Sequence, residues 1–195
     1  MAQGPSVTSS PQHPGVTASN LTLVINSADP LSEAIGAYYA QARQLRPRQR
    51  IRVRFKPTAT LDRTTFERIH AEVQRQSPPG TQAYALAWAA PWRVECVSIT
   101  SAFAFGRLRS SCHDTCAPTP ISPYYAAGEV RRPWNALGMR PTMLLAATSL
   151  PRARALVDRG IAADGSSPHG TAYLLSSSDP VRNVRAEGYP AAERV

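Results

Sequence analysis

The sequence predicts a single three-layer α/β domain with a mainly parallel sheet and helices on both faces, flavodoxin-like in outline. Short apolar runs at 21–26, 83–90 and 143–147 are typical of strands buried on both sides. Stretches with helical spacing of apolar residues lie between the predicted strands. Because strand and helix alternate, right-handed crossovers lead to parallel neighbours. The chain has 195 residues, a usual length for one domain.

The ends of the chain differ in composition from its middle. Residues 1–19 hold Ser, Thr, Pro, Gly and Gln with almost no bulky apolar residue, so we expect a disordered tail there. They include no apolar stretch of the kind that a signal peptide contains. The domain is predicted to span residues 20–180, followed by a polar tail at 181–195.

The first predicted strand, at 21–26, leads into a helix with clear boundary signals. Asp29 is a good N-cap and Pro30 a good first helical residue, while Pro47 lies beyond the helix end. The segment from Arg50 to Phe55 then alternates strictly between arginine and apolar residues. It predicts a strand with one buried face, close to a sheet edge.

The rest of the chain yields a second helix and further strands. Asp62 is predicted to cap the helix, which ends before Pro78. Residues 94–100 are predicted to form either a fourth strand or an excursion of the chain away from the sheet. A short helix is predicted to follow from Ser101. Ser149 and Pro151 open a helix after the strand at 143–147. We expect a last strand at 170–175.

A long connection separates the two halves of the predicted sheet. Residues 107–141 are irregular and rich in Pro, Ser and Arg. In a compact domain, a connection of this length is usually functional or disordered. It contains three aromatic residues that look exposed, Tyr124, Tyr125 and Trp134, which anchor either a ligand or partner, or the loop itself.

The order of several segments resembles an uncharacterised family of exported bacterial proteins, found in genomes that carry the PEP-CTERM/exosortase sorting system. The resemblance covers roughly residues 20–176 and implies export to the periplasm or cell exterior, with no established activity or catalytic residue. Members commonly begin with a signal peptide and continue past the end of this chain. Thr100 stands where members tend to have an acidic residue. The matching segments are NLTLVINSADPLSEAIGAYYAQAR, TLDRTTFERI, YALAWAAPWRV, SITSAFAFG, SPYY, MLLAATSLPRARALVDRGI and GTAYLL.

The net charge of +9 raises the question of nucleic-acid binding. The 22 basic residues are spread along the whole chain, however, and all but Lys56 are arginine, as a GC-rich genome would favour. This pattern favours a basic, solvated surface over a nucleic-acid interface. Arg50, Arg52 and Arg54 are the candidate anion-binding residues, although a charged strand face that blocks edge aggregation is the simpler interpretation. No apolar run is long enough to span a membrane.

The three cysteines are interpreted as structural residues in preference to metal ligands. Cys112 and Cys116 flank His113 and Asp114, but no second cysteine pair exists to complete a zinc site, so no metal is predicted. If the resemblance to exported proteins holds, a Cys112–Cys116 disulfide is the simplest expectation. Cys96 falls in an apolar run, where a small buried core residue is usual.

A cysteine peptidase related to caspases and gingipains is the alternative of another class. In that architecture a histidine follows one sheet strand and the cysteine the next. Residues 89–92, after the third predicted strand, contain no histidine. Nucleotide-binding and common hydrolase motifs are also missing from the sequence, so no cofactor is predicted.

The carboxyl edge of the sheet is the expected place for a ligand, because open α/β sheets bind ligands there. We expect Asn26–Asp29, Ala90–Trp92 and Thr148–Ser149 at this edge, with Asn26, Asp29 and Trp92 as the candidate binding residues. Together with the aromatic loop, they predict a non-enzymatic, envelope-associated accessory or binding protein, whose partner is an unknown protein or small molecule. The cysteine peptidase and a basic nucleic-acid-binding domain stand as alternatives.

Overall fold

A computed structural model describes residues 15–106, 122–125, 127–128, 130–166, 173–180, 183 and 186–192. The chain divides into one compact unit that ends at Ala162 and a second that begins at Ala163. The strands are β1 (Leu21–Asn26), β2 (Arg50–Val53), β3 (Thr60–Leu61), β4 (Ala83–Leu86), β5 (Arg93–Val94), β6 (Val97–Ser98) and β7 (Thr142–Leu144). The α-helices are α1 (Pro30–Ala42), α2 (Arg63–Gln76), α3 (Ile99–Phe105), α4 (Pro133–Leu137), α5 (Leu150–Ala162) and α6 (Tyr189–Ala192).

The main sheet has four parallel strands in the order β2-β1-β4-β7. With the two-residue strands left aside, this is the 2-1-3-4 order with which a flavodoxin-like sheet begins. The arginine-rich strand β2 lies at one edge of this sheet, as its one charged face predicts. The prediction of a three-layer α/β fold is therefore confirmed.

Alternating side chains give the sheet two separate apolar faces. On one face Val24, Tyr84 and Leu86 pack in a cluster with residues of α2 and α3. On the other, Leu23 and Ile25 pack in a cluster with residues of α1 and α5. The residues of both clusters are buried. Strands β1 and β4 are therefore each buried on both faces.

The helix starts follow the predicted local chemistry. The backbone N–H of Leu31 donates to Asp29 Oδ1 at 2.9 Å, with Pro30 as the first helical residue of α1. The N–H of Thr65 donates to Asp62 Oδ1 at 2.8 Å at the start of α2. Each aspartate thereby satisfies an N–H that the first turn of a helix leaves without a partner.

The segment 94–100 is not a continuous strand, which corrects one prediction. β5 and β6 form a short antiparallel hairpin with Glu95 and Cys96 at its turn, and α3 starts at Ile99. Val94 and Ile99 are buried, whereas Cys96 is exposed, so the expectation of a buried core cysteine was wrong. The reason is the turn, where Glu95 has φ of +50° and reverses the chain before the apolar run ends.

Two other segments also differ from the prediction. Residues 173–175 form no strand, and Tyr173 and Leu175 are largely exposed, while 170–172 lie outside the described residues. Apolar composition permits a strand, but a strand also requires a hydrogen-bonding neighbour. The predicted irregular connection contains α4, which begins at Pro133 and ends before Gly138 in the left-handed conformation.

Part of the predicted N-terminal tail is described. Residues 15–19 precede β1, and the backbone N–H of Thr17 donates to Asn20 Oδ1 at 2.8 Å across a short 3₁₀ turn. Residues 1–14 lie outside the described part of the chain. No helix within the described ranges has the length and apolar character that crossing a membrane requires.

Candidate functional site

At the carboxyl edge of the sheet, the side chain of Asn26 connects the end of β1 to the segment after β2. The side chain of Asn26 is fully buried. Its amide donates to the carbonyl of Phe55 at 3.0 Å, and its Oδ1 accepts the N–H groups of Phe55 at 3.2 Å and Ala28 at 3.1 Å. These bonds tie the end of β1 to the residues after β2, so the amide is already engaged within the fold.

The other residues expected at this edge have separate surroundings. Asp29 caps α1 through Leu31, as described above. Trp92 is 50% exposed, and the guanidinium carbon of Arg93 lies 4.6 Å from the centre of its ring. Trp88 is buried in the apolar core and donates its indole N–H to the carbonyl of Pro91 at 3.0 Å.

Two of the three candidate anion-binding arginines have partners within the domain. Arg50 donates from Nε to the carbonyl of Leu45 at 3.2 Å. Arg52 binds Glu33 with two donors, at 3.0 Å from Nε and 3.2 Å from Nη2. Arg54 is exposed just beyond the end of β2. The ion pair between Arg52 and Glu33 therefore connects the edge strand β2 to α1.

The aromatic residues of the long connection separate in the structure. Tyr124 and Tyr125 are exposed, the second of them to 86%. Trp134 belongs to α4 and is fixed there, because its backbone N–H donates to the side chain of the buried Gln82 at 3.1 Å. The indole of Trp134 faces Arg140, and this contact marks a site that the sequence did not suggest.

The predicted cysteine pair, Cys112 and Cys116, lies outside the described residues. Cys96 takes part in a disulfide bond. The chain has three cysteines, so a bond to Cys96 and a Cys112–Cys116 bond exclude each other.

Arg140 is the most deeply buried arginine in the described part of the chain, with 7% of its surface exposed. Its Nε donates to the carbonyl of Thr81 at 3.1 Å, and its backbone N–H to the carbonyl of Ala104 at 3.0 Å. The guanidinium carbon lies 3.4 Å from the centre of the Trp134 ring and 5.3 Å from that of Tyr84. Two aromatic π-systems thus stabilise the cation in place of water.

Within the described part of the chain, no carboxylate neutralises this charge. None of the ion pairs formed by described residues includes Arg140. Burial lowers the pKa of the Arg140 guanidinium, but an arginine remains protonated at any physiological pH. A buried cation without a counter-ion is costly, so such a residue is an indicator of an anionic ligand.

A cavity of about 130 Å³ lies beside Arg140. Its walls come from the end of α3 (Phe103–Gly106), from Gln74, and from Trp134, Gly138 and Arg140 itself. Gly106 ends α3 in the left-handed conformation, with φ of +69°. A Cβ at this position would approach the ring of His70 to 3.0 Å, so glycine is required by both backbone and space.

His70 does not line the cavity but lies behind its wall, next to Gln74 and Gly106. Its ring stacks on Phe66 and meets Phe103 edge-on, and its Nε2 lies 3.3 Å from the amide nitrogen of Gln74. Burial, assisted by the positive charge of Arg140, lowers the pKa of His70 to about 4, although a hydrogen bond with the backbone of Phe103 opposes this. The imidazole is therefore neutral at pH 7 and can accept the Gln74 N–H.

This site lies at the amino edge of the sheet, opposite to the edge that the sequence predicted. Thr81 precedes β4 and Arg140 precedes β7. The only local signal was that Arg140 falls in the long connection, where it is one arginine among many. Its burial depends on Trp134 and Tyr84, which are distant in sequence from each other, so spacing alone could not identify it.

A second, more open cavity of about 370 Å³ lies after β7. Ala146, Ala147, Thr148 and one side of α5 line it, including Arg152 and Arg159. Arg152 donates to the hydroxyl of Thr148 at 3.3 Å. For metal binding, no cluster of three or more His, Cys, Asp or Glu side chains occurs among the residues that the structure describes.

Comparisons with known proteins identify no relative. No protein-family model, no curated protein and no solved structure matches the chain.

Proposed function

We propose that this chain is a binding protein that holds an anionic ligand in the cavity beside Arg140. The observation that supports this is the buried guanidinium of Arg140, which has aromatic neighbours and a cavity but no carboxylate partner among the described residues. In a low-dielectric pocket such a cation binds an anion more strongly than an exposed arginine does. His70, which lies behind the cavity wall, is neutral and adds no competing charge.

The resemblance to exported bacterial proteins supports a place in the cell envelope, as an accessory protein that acts through binding. Under this proposal the ligand is a small molecule or an acidic group of a partner protein. Fractionation of the native host with an antibody against this chain tests the location. Recovery of the protein in the cytoplasmic fraction alone would contradict export.

The function is tested by thermal unfolding in the presence of small anions at constant ionic strength. A ligand that binds only the folded state at about one hundred times its Kd stabilises it by about 2.7 kcal/mol. We expect at least one anion to raise the Tm of the wild type and of Arg54→Gln, but not of Arg140→Gln. Arg54 is the matched control because its side chain is exposed. Equal responses of all three proteins would reject the proposal.

The competing hypothesis of a cysteine peptidase requires a reactive thiolate. Alkylation kinetics of the native protein distinguish the two hypotheses. A binding protein should show no thiol that reacts much faster than a small-molecule thiol. A single fast-reacting cysteine, with peptide-bond cleavage that its serine variant abolishes, would favour the peptidase.

A further inference from the structure

The ligand class follows from the composition of the cavity beside Arg140, and this inference rests on the proposed function. Arg140 is the one ionised side chain among the described residues that line the cavity. The titratable groups packed behind it, His70 and Tyr84, are both neutral at pH 7, since burial lowers the pKa of the first and raises that of the second. A single positive charge balances one negative charge, and a second would remain buried without compensation.

The available donors of Arg140 have the geometry of a fork. Nε is already committed to the carbonyl of Thr81, and Trp134 lies against the guanidinium at 3.4 Å. The two terminal nitrogens therefore supply the N–H groups that remain. Two parallel N–H groups in one plane match the two oxygens of a carboxylate.

The size and walls of the cavity restrict the remainder of the ligand. Its volume is about 130 Å³, and an apolar cavity of about 150 Å³ holds one benzene molecule, so about four to six non-hydrogen atoms fit. Phe103, Phe105 and Trp134 supply apolar and aromatic surface. A short hydrocarbon tail gains from contact with such walls, whereas a second polar end would lose its hydration there.

We infer that the cavity beside Arg140 binds a short-chain monocarboxylate, of about acetate to butyrate size, with its carboxylate on the terminal nitrogens of Arg140 and its hydrocarbon tail against the aromatic wall. Sulfate and hydrogen phosphate (HPO4²⁻) carry two negative charges, one more than the site balances. Dicarboxylates place a second charge among aromatic rings. Longer fatty acids exceed the volume.

The test is an NMR titration of the full chain with sodium propionate, butyrate, octanoate, succinate, phosphate and sulfate at constant ionic strength. We expect saturable shifts of the Trp134 indole N–H with propionate and butyrate. The other four anions should bind at least about tenfold more weakly, which corresponds to about 1.4 kcal/mol.

Two variants locate the binding. Arg140→Lys keeps the charge but removes the fork, and should weaken propionate binding by about tenfold. Because a change at this buried position could also disturb folding, Gln74→Glu provides a second variant at an exposed residue of the cavity wall. It adds a negative charge beside the site and should abolish propionate binding. Gln76→Glu, the same change on the same helix but away from the cavity, should leave binding unchanged.

The outcomes separate this inference from the proposed function. If phosphate or succinate binds at Arg140 as tightly as propionate does, the ligand class is wrong while anion binding at the site stands. If no anion gives saturable shifts that Gln74→Glu or Arg140→Lys changes, both the ligand class and the proposed function are wrong.

Discussion

The guanidinium carbon of Arg140 lies 3.4 Å from the centre of the Trp134 ring. This contact joins α4 to the residue that precedes β7, and the bond from the Trp134 backbone to Gln82 joins α4 to the start of β4. The aromatic surface replaces part of the hydration that the buried cation loses.

Replacing Trp134 should therefore weaken both the fold and the site. We expect Trp134→Leu to lower the free energy of unfolding by about 1–2 kcal/mol, because it removes the cation–π contact of a buried guanidinium, although the Trp134 ring itself is 36% exposed. Trp92→Leu is the control, since that ring is half exposed and its Arg93 lies farther away, at 4.6 Å. Urea unfolding measures both variants, and equal losses would argue against a special role for the Arg140 contact.

The stability of the domain should depend on pH through His70. The folded-state pKa of His70 is lowered to about 4 from an ordinary value of 6.5, so the unfolded chain binds a proton more readily. This contribution to stability is complete above about pH 6.5 and is lost as the pH falls towards 4, by at most about 3 kcal/mol.

Unfolding experiments between pH 7 and pH 4 test this dependence, with His70→Gln as the comparison. The variant should be less stable at pH 7 but should lose less stability on acidification. Asp62, whose pKa is lowered by its bonds to Thr65, loses its contribution at more acidic pH, as the pH falls from the ordinary aspartate pKa of 3.8 towards the lowered value. If the stability of the wild type and of the variant changed with pH in the same way, His70 would be excluded as the source of the pH dependence.

Asn26→Ala should be strongly destabilising. The change leaves the N–H and carbonyl of Phe55, together with the N–H of Ala28, without their side-chain partner. Since buried polar groups without partners cost about 1–3 kcal/mol each, and relaxation recovers part of this, we expect a loss of about 2–4 kcal/mol. Asn135→Ala, at an exposed residue with one described side-chain bond to Gln82, should cost less than half as much. A loss below that of Asn135→Ala would contradict the role of Asn26.

Gly36→Ala should be destabilising although it raises helix propensity. A Cβ at Gly36 would lie 2.6 Å from two side-chain atoms of Ile25, which is buried under α1. Overpacking of this kind costs about 1–3 kcal/mol, against a gain of up to about 1 kcal/mol in helix propensity. The double variant Ile25→Val, Gly36→Ala should recover part of the loss in a double-mutant cycle. Strict additivity of the two changes would show that they do not meet.

Peptide mapping under non-reducing conditions should find Cys96 in a disulfide with one of the two other cysteines, and one free thiol. The structure gives Cys96 as disulfide-bonded and exposed in the β5–β6 turn. A Cys112–Cys116 peptide with alkylated Cys96 would instead support the pairing suggested by the family resemblance.

Local chemistry made much of the fold predictable. Asp29 and Pro30 specify the start of α1, and the alternation from Arg50 to Phe55 specifies a one-sided edge strand. These signals involve neighbouring residues, because capping and side-chain alternation act within one turn or one strand. Predictions from local patterns were wrong at two places. A tight turn at Glu95 interrupts an apolar run, and residues 173–175 have no neighbouring strand among the described residues.

The sequence by itself determined the class of the fold, the sides of its strands and the starts of its main helices. Only the tertiary structure decided which polar residues are available for binding. It engaged Asn26 and Arg52 in internal bonds, and it buried Arg140 between Trp134 and Tyr84 at the opposite edge of the sheet. Burial and counter-ion pairing depend on side chains that meet across long sequence separations, so no local pattern records them.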